Sequence, residues 1–262
     1  MGRALIAALV RSGVAPDRIA VADPIAALRT ALVTDFGIVA CDDNLALVEC
    51  SDILVLAVKP QEMAKVVAPL RAALAARKPL VISVAAGLAV ADLRDMIGAD
   101  LPIVRSMPNR PALAGAGASG LYAPPSVDAP TRARAERVLS ASGVVVWVEE
   151  ESLMDAVTAV SGSGPAYFFL LAEALVKAGM AQGLERTAAE RLAAATLHGA
   201  GVMAGTDTDV AAMRRAVTSK GGTTEAALRS FDAAGFEAIV AAAVRAAVER
   251  SRELSREFGT GR

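Results

Sequence analysis

The periodicity of the apolar residues changes once along this chain, near Glu149, and that change limits the fold more than any other feature. Before it, short β-type runs alternate with amphipathic stretches. The runs are Arg18–Ala22, Ile38–Ala40, Ile53–Val58, Leu80–Val84, Ile103–Met107 and Gly143–Val148, and Ile25–Phe36, Met63–Ala76 and Thr131–Ala141 lie between them. Apolar strands separated by helices indicate a parallel sheet covered on both faces. Residues 1–148 are therefore expected to form a doubly wound, Rossmann-type α/β domain. From Glu149 a 3.6-residue period runs through Leu153–Val160, Ala166–Ala181, Thr187–Ala204, Val210–Ala216, Glu225–Ala234 and Phe236–Phe258. Residues 149–262 are expected to be all helical. These helices are rich in alanine and glycine, so each has little apolar area of its own, and the domain is expected to complete its core against a second copy.

A doubly wound dinucleotide domain ordinarily opens with a strand and a glycine-rich turn that brings backbone amides to a pyrophosphate. Here Met1–Val10 already reads as the helix that follows such a turn, with Gly2 where its last glycine would lie. The first strand and the glycine turn are expected to be missing. That strand is usually central, so the expected result is a gap in the sheet rather than a trimmed edge, and a truncated or mis-set start is the preferred explanation.

A formal net charge of −1 and 3% aromatic residues give no basis for a nucleic-acid footprint, which needs a basic face or stacking rings. No continuous apolar run approaches the ~20 residues of a bilayer span, and the start has no secretion-type pattern. A cytoplasmic protein without membrane or nucleic-acid partners is expected. Cys41 and Cys50 have eight residues between them and no Cys-x-x-Cys, and the single histidine, His198, sits in an alanine-rich helical stretch. No metal site is expected.

Three short loops carry most of the chemistry: Ser106-Met107-Pro108-Asn109, Ser161-Gly162-Ser163-Gly164-Pro165-Ala166 and Ser219-Lys220-Gly221-Gly222-Thr223-Thr224-Glu225. The last two read as helix N-termini, where unpaired N–H groups and the positive dipole end favour a small anion such as a carboxylate. Helix initiation alone also explains both, with serine or threonine caps and a proline in the first turn.

With Ala57-Val58-Lys59-Pro60, Ser83-Val84-Ala85-Ala86-Gly87, Met107 to Ala112, Asp155 to Ala166 and Gly221 to Ala226 in this order and spacing, the chain closely resembles pyrroline-5-carboxylate reductase. The resemblance covers essentially the whole chain. It implies reduction of 1-pyrroline-5-carboxylate to L-proline with NADPH or NADH by a homodimer, which in the family is often assembled into a ring of dimers such as a decamer. Two departures are the missing glycine turn and Lys220, where the family often has proline.

By that resemblance Ala57, Val58, Lys59 and Pro60 line the cofactor, as do Val84, Ala85 and Ala86. Met107, Pro108 and Asn109 border the nicotinamide. Each set ends a strand, where ligands bind in open α/β sheets, although strand closure and packing explain the same residues. Asn44, at a helix start, is implied to touch the adenine-side ribose. Asp23 closes the second expected strand, where a carboxylate accepts from a ribose 2′-OH and favours NADH; Arg29 nearby could meet a phosphate, so the choice of cofactor stays open. The resemblance further implies that amides of Gly222, Thr223 and Thr224 hold the substrate carboxylate, that the Thr224 hydroxyl reaches the ring nitrogen, and that Glu151 touches substrate or product. A protonated cyclic imine is already electrophilic, so orientation and one hydrogen-bonding partner suffice, and no general acid stands out. A β-hydroxyacid dehydrogenase would carry a lysine where this chain has Tyr167-Phe168-Phe169. A reductase of another cyclic imine, or a non-catalytic dimeric binding protein, are the remaining alternatives.

Overall fold

A computed structural model describes residues 1–206 and 209–259. Its strands are β1 (Ala20–Val21), β2 (Val39–Ala40), β3 (Ile53–Leu56), β4 (Leu80–Ser83), β5 (Ile103–Pro108), β6 (Gly117–Tyr122) and β7 (Gly143–Trp147). They form two separate sheets, a parallel β1–β2 pair and a five-stranded sheet in the order β3-β4-β5-β6-β7. The expected interruption is therefore present: no described strand pairs with the second edge of β1 or of β3.

Helix α1 (Gly2–Arg11) packs on both pieces, because neighbouring residues on it point to different clusters. Leu5 is buried with Ile82, Val104 and Leu121 of the larger sheet, while Ile6 is buried with Ile19 and Ile38, the residues just before β1 and β2, and with Leu32 of α2 (Ala26–Phe36). Helices α3 (Asn44–Cys50), α4 (Met63–Val67), α5 (Arg71–Arg77) and α6 (Val90–Ile97) surround a second core on the other face of the sheet, centred on Met63, Leu93, Ile97 and Ile103. The single helix expected over Met63–Ala76 is interrupted by a 3₁₀ turn at Ala68–Leu70, which contains Pro69.

The sheet is not wholly parallel. Strand β6, absent from the expected set, runs antiparallel to β5 with Met107 opposite Gly120, and parallel to β7 with Gly120 opposite Val146. Its sequence Gly-Ala-Ser-Gly-Leu-Tyr has the small residues of a loop, and the reason lies in the packing. A Cβ at Gly120 would stand 2.3 Å from Val157 Cγ1, and one at Gly117 would stand 2.7 Å from the Ser142 carbonyl oxygen. The glycines admit helix α8 (Met154–Val157) and the α7–β7 connection, where α7 is Ala129–Ser140.

Two compact units divide at Ser163/Gly164 rather than at the change of period near 149. The first also includes the chain from Ala247 onward; the second is Gly164–Ala246. Residues 149–163 belong with the sheet because α8 packs on β6 and the π-helical turn Thr158–Gly162 contacts the end of β5. The second unit holds α9 (Gly164–Ala181), α10 (Arg186–Ala204), α11 (Val210–Ala216), α12 (Thr223–Ala233) and the start of α13 (Phe236–Phe258). Its helices expose large apolar side chains, among them Phe168, Phe169, Leu170 and Ile239, each about 60% or more accessible. One expectation is corrected here: the helical stretch Glu151–Ala181, with mean hydropathy 1.3, is long and apolar enough to cross a membrane by length and composition.

Replacing Gly120 with alanine is expected to destabilise the protein by about 1–3 kcal/mol through overpacking against Val157. The Gly120→Ala/Val157→Ala pair should recover part of that loss in urea unfolding, whereas additive losses would show that the two positions do not compete for space.

Candidate active site

Strands β3, β4 and β5 are parallel and in register, Leu56 opposite Ser83 and Ser83 opposite Arg105. Their exits therefore emerge at one edge, and with them the expected cofactor residues Ala57–Pro60, Val84–Ala86 and Met107–Asn109. Ala57 and Lys59 are exposed, Val84 and Ala86 are half-buried, and Ala85 is buried. The N-terminus of α1 stands against the first exit, where a Cβ on Gly2 would be 3.5 Å from Ala57 Cβ. No side chain caps α1, so the amides of its first turn lack a side-chain acceptor. One buried side-chain oxygen among the described residues has no partner, Ser106 Oγ, one residue before Met107. Uncapped amides and small side chains at two exits fit a polar ligand laid across this edge, the place where a doubly wound sheet receives a dinucleotide.

Asn109 is held from two directions. Its Nδ2 donates to the Ser161 carbonyl at 3.0 Å, and its Oδ1 accepts from Ala118 N at 2.9 Å. The side chain thus ties the end of β5 to β6 and to the π-helical turn. Met107 closes on the same turn, since a Cβ on Gly162 would lie 2.8 Å from Met107 Cε. These contacts give the Met107-Pro108-Asn109 corner a fixed shape.

Glu151 stands in the first unit. Its Oε1 accepts from Val90 N at 2.7 Å and from Arg105 Nη1 at 3.2 Å. The Arg105 side chain is only 8% accessible. Glu151 therefore neutralises a buried guanidinium and caps α6, directly after the Val84–Ala89 turn. Arg105 was visible in the sequence as one charge inside an otherwise apolar strand, a pattern that demands a buried partner.

At the other end of the cofactor edge, Asp23 follows β1, and its Oδ1 accepts from Ile25 N at 2.8 Å while the Arg29 guanidinium donates to its carbonyl oxygen. Asn44 is the first residue of α3 and is exposed; the cap is Asp43, whose Oδ1 accepts from Ala46 N at 2.8 Å. Capping thus falls to Asp43 and leaves the Asn44 side chain at the surface.

In the second unit, the 219–225 loop opens α12. Gly221 has φ +74°, and a Cβ on Gly222 would collide with Ser219 Oγ at 2.5 Å. Gly221 N donates to Glu225 Oε2 at 2.8 Å, and Gly222 N donates to the Ser219 carbonyl at 3.0 Å. The Gly222 amide is thus engaged within the turn, and this helix start too has no side-chain cap. Its N-terminal amides at Thr223 and Thr224 are the donors aimed outward, with Thr224 half-buried. Among the described residues no group of histidine, cysteine and carboxylate side chains could hold a metal ion.

A doubly wound unit with small-residue strand exits, together with a helical unit whose α12 opens behind a double-glycine turn, defines an oxidoreductase of the nicotinamide-dependent class. The family described as pyrroline-5-carboxylate reductase dimerisation matches residues 151–254, and one described as NADP oxidoreductase, coenzyme F420-dependent, matches residues 1–87. The chain is 46% identical to the pyrroline-5-carboxylate reductase of Pseudomonas aeruginosa, over 99% of this chain and 95% of that one, and 42% identical to that of Vibrio alginolyticus, over 98% and 95%. A solved pyrroline-5-carboxylate reductase from Coxiella burnetii superposes with a TM-score of 0.93 at 37% identity, covering 97% of this chain and 94% of that one. The Plasmodium falciparum enzyme, solved with NADP bound, superposes at 0.81 with 28% identity, covering 97% and 94%. The chain belongs to the pyrroline-5-carboxylate reductase family. The dimerisation match spans most of the apolar stretch Glu151–Ala181, and the chain is a multimer.

Glu151→Ala would leave Arg105 buried without a counter-charge and Val90 without its cap. A loss of about 3–5 kcal/mol is expected in chemical unfolding, and a loss below 1 kcal/mol would show that the guanidinium is solvated.

Proposed function

We propose that this chain reduces 1-pyrroline-5-carboxylate to L-proline with NADPH or NADH, and that its two units divide the work. The observation that carries the division is the pair of uncapped helix starts, α1 beside the β3 exit in one unit and α12 behind a double-glycine turn in the other. When bound, the reduced cofactor supplies a hydride. Ala57–Pro60, Val84–Ala86 and Met107–Asn109 hold its nicotinamide end, Asn44 meets the adenine-side ribose, and Asp23 stands near that ribose.

The N–H groups of Thr223 and Thr224 hold the substrate carboxylate at the positive end of α12. Gly222 contributes shape rather than a donor, because only a residue without Cβ passes Ser219. The Thr224 hydroxyl accepts a hydrogen bond from the protonated ring nitrogen and fixes which carbon faces the cofactor. No side chain has to deliver a proton to the electrophile, since the imine arrives protonated and the nitrogen keeps that proton in the product. The protein's contribution is alignment and exclusion of other orientations. Glu151, committed to Arg105 and Val90, supports the β4 exit and acts on the substrate only through that support. A homodimer, assembled into rings as in related enzymes, and a cytoplasmic location without membrane attachment complete the reading.

The test is oxidation of NADPH and NADH, followed by absorbance, with 1-pyrroline-5-carboxylate and with its six-membered-ring homologue. Turnover dependent on the five-membered ring is expected; preference for the larger ring would reassign the substrate, and absence of oxidation with either would overturn the reading. Thr224→Ala should lower kcat by about 10²-fold while leaving cofactor affinity within about twofold, the pattern of an interaction made to the reacting ring. An unchanged kcat would remove Thr224 from the chemistry.

A further inference from the structure

The last turns of α13 leave the helical unit and pack on the first unit, at the turn that follows β4. One face of this segment is apolar or neutral, with Ser251, Leu254, Ser255 and Phe258 at helical spacing, while Arg250, Arg252, Glu253, Arg256 and Glu257 point to solvent. Ser251 is buried at 5% accessibility, and its Oγ donates to Asp155 Oδ1 at 2.6 Å. Ser255 Oγ donates back to the Ser251 carbonyl at 3.1 Å.

What this face covers is the backbone of Gly87. A Cβ built there would lie 3.2 Å from Phe258 Cδ2 and 3.3 Å from both the carbonyl carbon and the carbonyl oxygen of Leu254. Gly87 has φ +77°, so the position excludes side chains by conformation as well as by space. Phe258 packs against the core cluster that contains Ala85, Leu88 and Val90. The turn is gripped from its far side too, where Ala89 N donates to Asp92 Oδ2 at 3.0 Å and Val90 N donates to Glu151. A segment over 160 residues downstream is thus seated on Gly87, the residue directly after the expected nicotinamide contacts Val84–Ala86.

We propose that residues 251–258 form a latch on the β4 exit and that Phe258 is a positioning residue: it touches neither substrate nor cofactor, and it fixes the backbone of Val84–Ala86 against which the nicotinamide end rests. This rests on the assignment of Val84–Ala86 under Proposed function. Without the ring, Gly87 would keep only the Leu254 main chain against it, and its backbone would be freer to sample the many conformations glycine allows. The turn would then present its carbonyl and amide groups in several arrangements rather than one.

The test compares Phe258→Ala with Phe258→Leu and with Leu139→Ala, a fully buried position of α7 in the separate cluster on the other face of the sheet. Native-state hydrogen exchange should be about tenfold faster at the amides of residues 85–90 in Phe258→Ala while those of β6 and β7 keep their protection. The dissociation constant for NADPH should rise about tenfold, the isotope effect with 4-deuterated NADPH should increase, and KM for the imine should stay within about twofold. Phe258→Leu should restore most of both properties. Leu139→Ala should lower the melting temperature without changing either one.

Exchange at residues 85–90 that is unchanged, or that rises equally in Leu139→Ala, overturns the latch. Faster exchange with unaltered NADPH affinity and isotope effect reduces Phe258 to a packing role and overturns the positioning claim. Wild-type protein that binds NADPH but does not oxidise it with the imine would refute the proposed reaction, while the exchange and affinity measurements still judge the latch.

Discussion

Three parallel strands in one register decide where this protein can do chemistry. Because β3, β4 and β5 pair residue for residue, the segments that follow them must leave the sheet side by side. Neither the small side chains at 57 and 84–86 nor the corner at 107–109 would form a site if the ladders slipped, since a shift of one residue turns each strand over. The remaining features of the first unit serve this edge. The guanidinium of Arg105, neutralised by Glu151, joins β5 to the start of α6, and Asn109 joins the end of β5 to β6 and to the π-helical turn.

Much of this architecture was legible in the order of residues, for identifiable reasons. Helices α9 to α13 were readable because their periodicity runs unbroken for many turns, and the boundaries of α11 and α13 agree with the expected ones. Strand β6 was not readable: its glycines look like a loop until Val157 and Ser142 are seen occupying the space a side chain would need. The compact units part at Ser163/Gly164 for a related reason, since the helical period begins at 149 but the first helical turns still pack on the sheet. Local pattern reports what a segment is, and only contacts report what it belongs to.

The candidate site divides in the same way. Its strand exits and its double-glycine loop are contiguous motifs, and the sequence displays them directly. The partnership of Arg105 with Glu151, the capping of α3 by Asp43 and the seating of Phe258 over Gly87 join residues 46, 3 and 171 positions apart. The long-range ones leave only indirect traces, such as a lone charge in an apolar strand or a glycine after a strand. Glu151 illustrates the difference: the resemblance implies that it touches substrate or product, and nothing in the sequence around it points to the hydrogen bonds that tie it to a helix cap and a buried cation.

The division of the sheet has a further consequence. Ladder groups along the outer margin of β3, and along the corresponding margin of β1, meet no neighbouring strand among the described residues. Helix α1 is shared by the two pieces, so their alignment rests on Leu5 in one cluster and Ile6 in the other rather than on a common ladder.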